Sequence, residues 1–166
     1  RDDGYSSINW NFLPSSGASL AHPHLQGMVD RYPSARVRCY LAGARKYRKE
    51  KGRDYWNDVR NHERDSDRYL FGDDILWVAS AVPVGEREVL GLLPIATLEE
   101  FEAIMPQCVE GILTVMDFYR SMGTHAFNMS LFFDTNVKGD FSAICSMIAR
   151  INPNVASLSD SSFMER

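Results

Sequence analysis

Residues 5–26 read YSSINWNFLPSSGASLAHPHLQ, and the way this stretch folds decides the frame of the chain around it. Tyr5–Phe12 alternates in the manner of a half-buried strand. Leu13-Pro14-Ser15-Ser16 is loop sequence that can turn this strand back against the segment that follows. Gly17 permits a tight backbone turn. His22, His24 and Gln26 are spaced by two, so an extended backbone sets all three on one face. Pro23 fixes its own φ and biases His22 towards that extended conformation. The expectation is an antiparallel pair on which Asn11, Ser19, His22, His24 and Gln26 converge on one pocket.

The chemistry of that row is specific. It offers an imidazole, a second imidazole and a carboxamide: a nucleophile, a group that orients it, and a hydrogen-bonding partner for a phosphate. Ser19 adds a hydroxyl within reach of a phosphate oxygen. A neutral imidazole is nucleophilic at neutral pH, and its phosphoramidate is labile enough to pass a nucleotidyl group on. Such a transfer depends on positioning and on donors to the phosphate oxygens. A backbone carbonyl on the other ring nitrogen would fix the His24 tautomer, and the sequence does not say which carbonyl.

Asn11, then Gly17-Ala18-Ser19, then His22-Pro23-His24-Leu25-Gln26 resembles the galactose-1-phosphate uridylyltransferase family of the histidine-triad superfamily. The resemblance is specific over residues 9–28 and looser over most of the remainder. It implies an α+β, histidine-triad-like fold with a largely antiparallel sheet and packed helices. It also implies a nucleotidyltransferase that moves a nucleoside monophosphate between a nucleotide sugar and a sugar 1-phosphate, in galactose and carbohydrate metabolism. By resemblance His24 is the nucleophile that forms a covalent nucleotidyl-histidine. Gln26 bonds the transferring phosphoryl group, Ser19 and Asn11 hold phosphate oxygens, and His22 is a zinc ligand.

The family is built from two related halves. On that plan residues 1–32 are the end of the first half, 33–67 a helical connection and 68–166 the second half. The other zinc ligands come from upstream of the motif, so the zinc site is expected to be incomplete in this chain. Histidines that family members carry on their last strands match Ile148 and Arg150 here, so a second metal site is expected to be absent. The planar fork of Arg150 could meet a phosphate instead. Two other readings stay open. One is a phosphorolytic relative acting on ADP-sugars or dinucleoside polyphosphates. The other is a nucleotide-binding module, or an inactive fragment of such an enzyme. The chain opens on Arg1 rather than Met and reads as a piece of a longer protein, one whose exposed sheet edge a homodimer could cover.

Composition sets the outer limits. The chain has 166 residues, enough for one domain with a core, and 45% of them are hydrophobic. A formal net charge of −4 argues against nucleic acid as a partner. No apolar run is long enough to span a bilayer and no signal peptide is visible. Cys39, Cys108 and Cys145 form no C-x-x-C pair, and an odd count without a secretory signal points to reduced thiols in a cytoplasm. Each of the three reads as a small buried hydrophobe.

The pattern downstream alternates helices and strands. Pro33 can open a helix over 34–50, whose Arg45, Lys46, Arg48, Lys49 and Lys51 form either a solvated face or an attractor for a phosphate. Asp54–Arg64 reads as a second helix, with Tyr55, Trp56 and Val59 on one side and His62 on the surface. Arg68–Phe71 and Ile75–Val82 flank a Gly72-Asp73-Asp74 turn, and Glu88–Leu93 is a further strand. Thr97-Leu98-Glu99-Glu100 looks like a capping box. Met105–Met122 has Val109, Ile112, Leu113, Val115, Met116 and Tyr119 near helical spacing, ended by Gly123. His125–Asp134 and Ser142–Asn152 read as two strands joined by a turn through Asn136–Gly139, with His125 structural. That order of elements suggests α+β.

Overall fold

The computed structural model describes residues 4–18, 22–135 and 140–150. Among them the elements run β1 (Tyr5–Phe12), β2 (Gln26–Asp30), α1 (Ala35–Lys51), α2 (Tyr55–Arg64), β3 (Tyr69–Phe71), β4 (Leu76–Ala79), β5 (Val89–Leu92), α3 (Met105–Ser121), β6 (Ala126–Phe132) and β7 (Ile144–Arg150). The strands form a single seven-stranded sheet in the order β2-β1-β6-β7-β5-β4-β3. Every neighbouring pair is antiparallel. The architecture is α+β, as the sequence pattern suggests.

Helix starts follow from side-chain caps. The Ser34 hydroxyl accepts from Val37 N at 3.3 Å to begin α1, and Asp54 Oδ1 accepts from Asn57 N at 2.9 Å to begin α2. Pro33 therefore precedes the cap rather than sitting in the first turn. Glu100 reaches back to Thr97 N at 3.0 Å and Ala96 N at 3.1 Å. These two donors hold its carboxyl below the ordinary range, against the pull of burial. Only the glutamate arm of the expected capping box forms, since Thr97 Oγ1 donates to Glu100 Oε2 at 3.1 Å; a 3-10 turn over Phe101–Ile104 follows Glu100 without a side-chain cap and runs straight into α3.

The strands alternate, so each face of the sheet has its own layer. On one face Trp77, Val89, Phe127, Met129, Cys145 and Met147 meet Cys108, Ile112, Val115 and Tyr119 of α3. On the other face Leu76, Val78, Leu90, Leu92, Ile144 and Ile148 meet Val37, Leu41 and Ala44 of α1 and Trp56 of α2.

Some of the finer expectations hold and others are corrected. The buried line of α3 runs through Cys108, Gly111, Ile112, Val115 and Tyr119, while Val109 and Leu113 point outward. The helix carries two apolar lines, and the one that contains Gly111 docks because only it lets the Trp77 ring approach the helix backbone. β4 stops at Ala79 rather than Val82: Ser80 N still bonds Glu88 O at 2.9 Å in the β4–β5 register, and the chain bends away after it. Cys108 and Cys145 are buried, but Cys39 is exposed. His62 is exposed, as expected, and His125, just before β6, is exposed as well. The basic face of α1 is matched by carboxylates: Arg45 and Arg48 pair with Asp140, Arg48 also with Asp54, and Lys46 with Glu50. The expected Asn136–Gly139 turn and the end of the last strand beyond Arg150 lie outside the described residues.

Candidate functional site

The face of the sheet covered by α1 and α2 turns polar towards β1. Register places Gln26, Asn9, Ser130 and Ser146 side by side on β2, β1, β6 and β7. The next row is Asn11, Asn128 and Ile148, and Arg150 lies one row further along β7. The side chains in these rows are bonded to one another. Ser130 Oγ donates to Asn9 Oδ1, and Asn9 Nδ2 donates to Ser7 Oγ at 3.0 Å. Asn128 Nδ2 donates to Asn11 Oδ1 at 2.6 Å and to Ser16 O at 2.8 Å, while Asn128 Oδ1 accepts from Arg150 Nε. Asn128 and Ser130 have no exposed surface, so these bonds are what makes their burial tolerable.

This network has a chemical consequence at Asn11. Its carbonyl oxygen faces Asn128, so its amide Nδ2 is left as the outward donor, with no protein partner among the described residues. Just beyond, Leu13 holds φ 71° and ψ 159°, a region that residues with a Cβ seldom occupy. The turn that follows keeps it there. Ser16 Oγ donates to Leu13 O at 2.7 Å and lies 2.8 Å from Phe12 O, and Ser16 N donates to Leu13 O at 3.0 Å. Gly17 then takes φ 88°, the turn foreseen for it.

The histidines sit differently from the extended row. The ladder between β1 and β2 begins at Gln26, and residues 22–25 precede it without regular structure. Pro23 has no N–H to give to a ladder, which is reason enough for the strand to start after it. Instead the backbone folds so that His24 Nδ1 lies 3.0 Å from His22 O. A carbonyl only accepts, so in the neutral ring Nδ1 carries the proton and Nε2 presents its lone pair. This is the tautomer-fixing carbonyl that the sequence could not name. His24 is half-buried, while His22 and Gln26 are exposed. Ser19 lies outside the described residues.

Two features that sequence reasoning passed over complete this face. Arg36 of α1 and Glu88 form an ion pair of 2.7 Å, their side chains 10% and 0% exposed. Ser146 bridges them, accepting from Arg36 at 3.1 Å and donating to Glu88 Oε1 at 2.6 Å. Burial lowers the Arg36 pKa, but Tyr40 and Glu88 outweigh it and hold the guanidinium above its ordinary value. The sequence did carry a signal for this face. Asn9 and Asn11, Asn128 and Ser130, then Ser146, fall at period two in otherwise apolar strands.

The resemblance implies zinc. His22 is the candidate ligand, and among the described residues no three His, Cys, Asp or Glu side chains gather to hold a metal with it. A four-coordinate site needs more than this segment supplies. Among the described residues, no helix is long and apolar enough to cross a membrane.

Solved structures share this fold. A uridylyltransferase superposes with a TM-score of 0.73 at 17% identity, over 96% of this chain and 52% of that one. An ADP-glucose phosphorylase from Arabidopsis thaliana, solved with bound ADP-glucose, gives 0.72 at 14% identity, over 91% of this chain and 51% of that one. A galactose-1-phosphate-uridylyltransferase-like protein from the same plant gives 0.69 at 17% identity, over 99% and 55%. An uncharacterized protein of Archaeoglobus fulgidus is 28% identical over 156 residues, which are 88% of this chain and 45% of that protein. The chain therefore spans about half the length of the proteins it matches. No family model matches it.

Proposed function

We propose that this chain carries the nucleophile-bearing part of a nucleotidyltransferase that works through a covalent nucleotidyl-histidine. The observation that carries the reading is the 3.0 Å contact between His24 Nδ1 and His22 O, which leaves Nε2 as an oriented lone pair. Nε2 attacks the α-phosphorus of a nucleotide sugar. The Nε2–P bond forms as the bond from phosphorus to the bridging oxygen breaks, and sugar 1-phosphate leaves with that oxygen. In the second step an acceptor phosphate oxygen attacks the same phosphorus and Nε2 departs. The Asn11 and Gln26 amides supply donors to the phosphoryl oxygens, where charge builds up in both steps. The Ser19 hydroxyl belongs to the same set.

On this reading residues 1–32 close the first half of a longer two-half enzyme, 33–67 connect, and 68–166 form the second half. The acceptor is a sugar 1-phosphate, or inorganic phosphate if the enzyme is phosphorolytic, and the fold likeness to an ADP-glucose phosphorylase favours testing both.

Intact-mass spectrometry decides the matter. The protein and its His24→Ala variant are incubated with UDP-glucose and, separately, with ADP-glucose. The expected result is a gain of one nucleoside monophosphate in the parent with one donor, and none in the variant. Adding glucose 1-phosphate or phosphate should then discharge the adduct and name the acceptor. Binding of either donor with no mass gain would instead mark the chain as a nucleotide-binding module.

A further inference from the structure

The α1-covered face holds a cavity that none of the roles above uses. It measures about 260 Å³ and lies between the β1–β2 hairpin and the start of α1. Asn9, Ser7 and Tyr5 of β1 and Met28 and Asp30 of β2 line it, with Tyr32, Ser34 and Val37 among the residues closing it from α1's side. The pairs across the hairpin are Asn9 with Gln26, Ser7 with Met28 and Tyr5 with Asp30. The cavity therefore begins at the rung of Gln26 and runs away from His24 along the same face. One rung is two residues, about 7 Å of strand.

We infer that this cavity binds the sugar ring of the phosphate ester through a pair of adjacent hydroxyls, with Asp30 as their acceptor. The inference rests on the proposed transfer at His24. Four observations support it. The lining holds a carboxylate and no lysine or arginine, so it suits the neutral ring of an ester rather than its phosphate. Asp30 Oδ1 accepts from Tyr32 N at 3.2 Å, which fixes the carboxylate and leaves Oδ2 for a ligand. Ser7 Oγ accepts from Asn9 Nδ2 and Ser34 Oγ from Val37 N, so both hydroxyls keep a proton to donate. Tyr5, Met28 and Tyr32 supply apolar walls for the C–H faces of a ring. The volume lies below the roughly 300–1,000 Å³ of sites that enclose a drug-sized ligand. It fits one ring and not a whole nucleotide sugar.

The ring is either the ribose of the nucleotide or the hexose of the sugar phosphate, and Asp30→Asn distinguishes them. The amide keeps an oxygen for Tyr32 N but loses the charge, and its site at an exposed strand end is tolerant of the change. Binding of UMP, AMP, their 2′-deoxy forms and glucose 1-phosphate is measured by calorimetry in parent and variant. If the ring is ribose, the parent prefers the ribonucleotide by about tenfold, the scale of one charge-assisted hydrogen bond, and Asp30→Asn erases that preference. If it is hexose, the variant weakens glucose 1-phosphate by a similar factor and leaves the nucleotides alone. Equal binding of every ligand by parent and variant overturns the inference. Mass spectrometry of the same samples separates the two readings. Adduct at His24 with unaltered affinities removes the sugar site and keeps the transferase, whereas neither adduct nor binding in the parent removes both.

Discussion

Asn128 shows how a buried amide can set the chemistry of an exposed one. It is fully buried on β6, it donates to Asn11 Oδ1 and Ser16 O, and it accepts from Arg150. Replacing it by leucine keeps the volume roughly constant and removes all three bonds. Each buried group left without a partner costs about 1–3 kcal/mol, so Asn128→Leu should lose at least that much in urea unfolding. It should also let the Asn11 amide turn over, weakening nucleotide binding in a calorimetric titration. An Asn128→Leu variant with unchanged stability and unchanged binding would mean that Asn11 is oriented by something else. The sequence made Asn11 legible as a candidate because of its place before the glycine-serine turn. It could not show Asn128 as its partner, because nothing in a linear pattern says which distant strand lies alongside. Arg150, read as able to meet a phosphate, gives its Nε to Asn128. The His24 tautomer was equally out of reach, since it depends on a turn rather than on the extended row the spacing suggested.

The helices and strands themselves were largely written in the pattern. Tyr5–Phe12 forms β1 with the expected bounds, and the caps at Ser34 and Asp54 start α1 and α2 close to where the sequence put them. α3 forms over Met105–Ser121, close to the expected Met105–Met122, but its apolar residues lie on two lines and apolar content alone does not choose between them. The docking line is chosen by Gly111. A Cβ there would come within 2.2 Å of Trp77 Nε1 and 2.3 Å of Trp77 Cε2. That ring also packs against Gly91 of β5 and stacks on Phe71, with centroids 5.7 Å apart. It therefore has no room to retreat. Gly111→Ala should lower the melting temperature, with a cost of about 1–3 kcal/mol or more from overpacking despite the better helix propensity of alanine. Gly43 of α1 makes the matched control, because a Cβ added there meets nothing within 4 Å. Gly43→Ala should raise stability by up to about 1 kcal/mol. Equal effects at the two sites, read by calorimetric melting, would show that propensity rather than the Trp77 contact governs Gly111.

At the scale of the molecule the open question for the sequence was strand order. Hairpin signals joined β3 to β4 and β6 to β7. Nothing local could say that β1 lies against β6, or that β5 lies between β4 and β7. The sheet brings these distant segments together, and the buried pair of Arg36 and Glu88 ties the result to α1. Glu88, just before β5, takes Arg36 of α1, Ser146 of β7 and the backbone N–H of Val84, so one carboxylate joins a helix, a strand and a loop. An ion pair this enclosed adds little net stability, since both charges lost their water, but removing one partner is costly because the other stays behind. Glu88→Gln keeps the shape and strands the Arg36 guanidinium under Tyr40 and the sheet. It should destabilise the protein by about 3–5 kcal/mol in urea unfolding at neutral pH. Arg36→Met in the same chain removes the stranded charge and should recover a large part of that loss. The recovery separates an electrostatic fault from a simple packing defect, because methionine restores none of the hydrogen bonds to Ser146. A Glu88→Gln loss below about 1 kcal/mol would place Arg36 in solvent in the variant, with α1 held to the sheet by its Val37, Leu41 and Ala44 contacts alone.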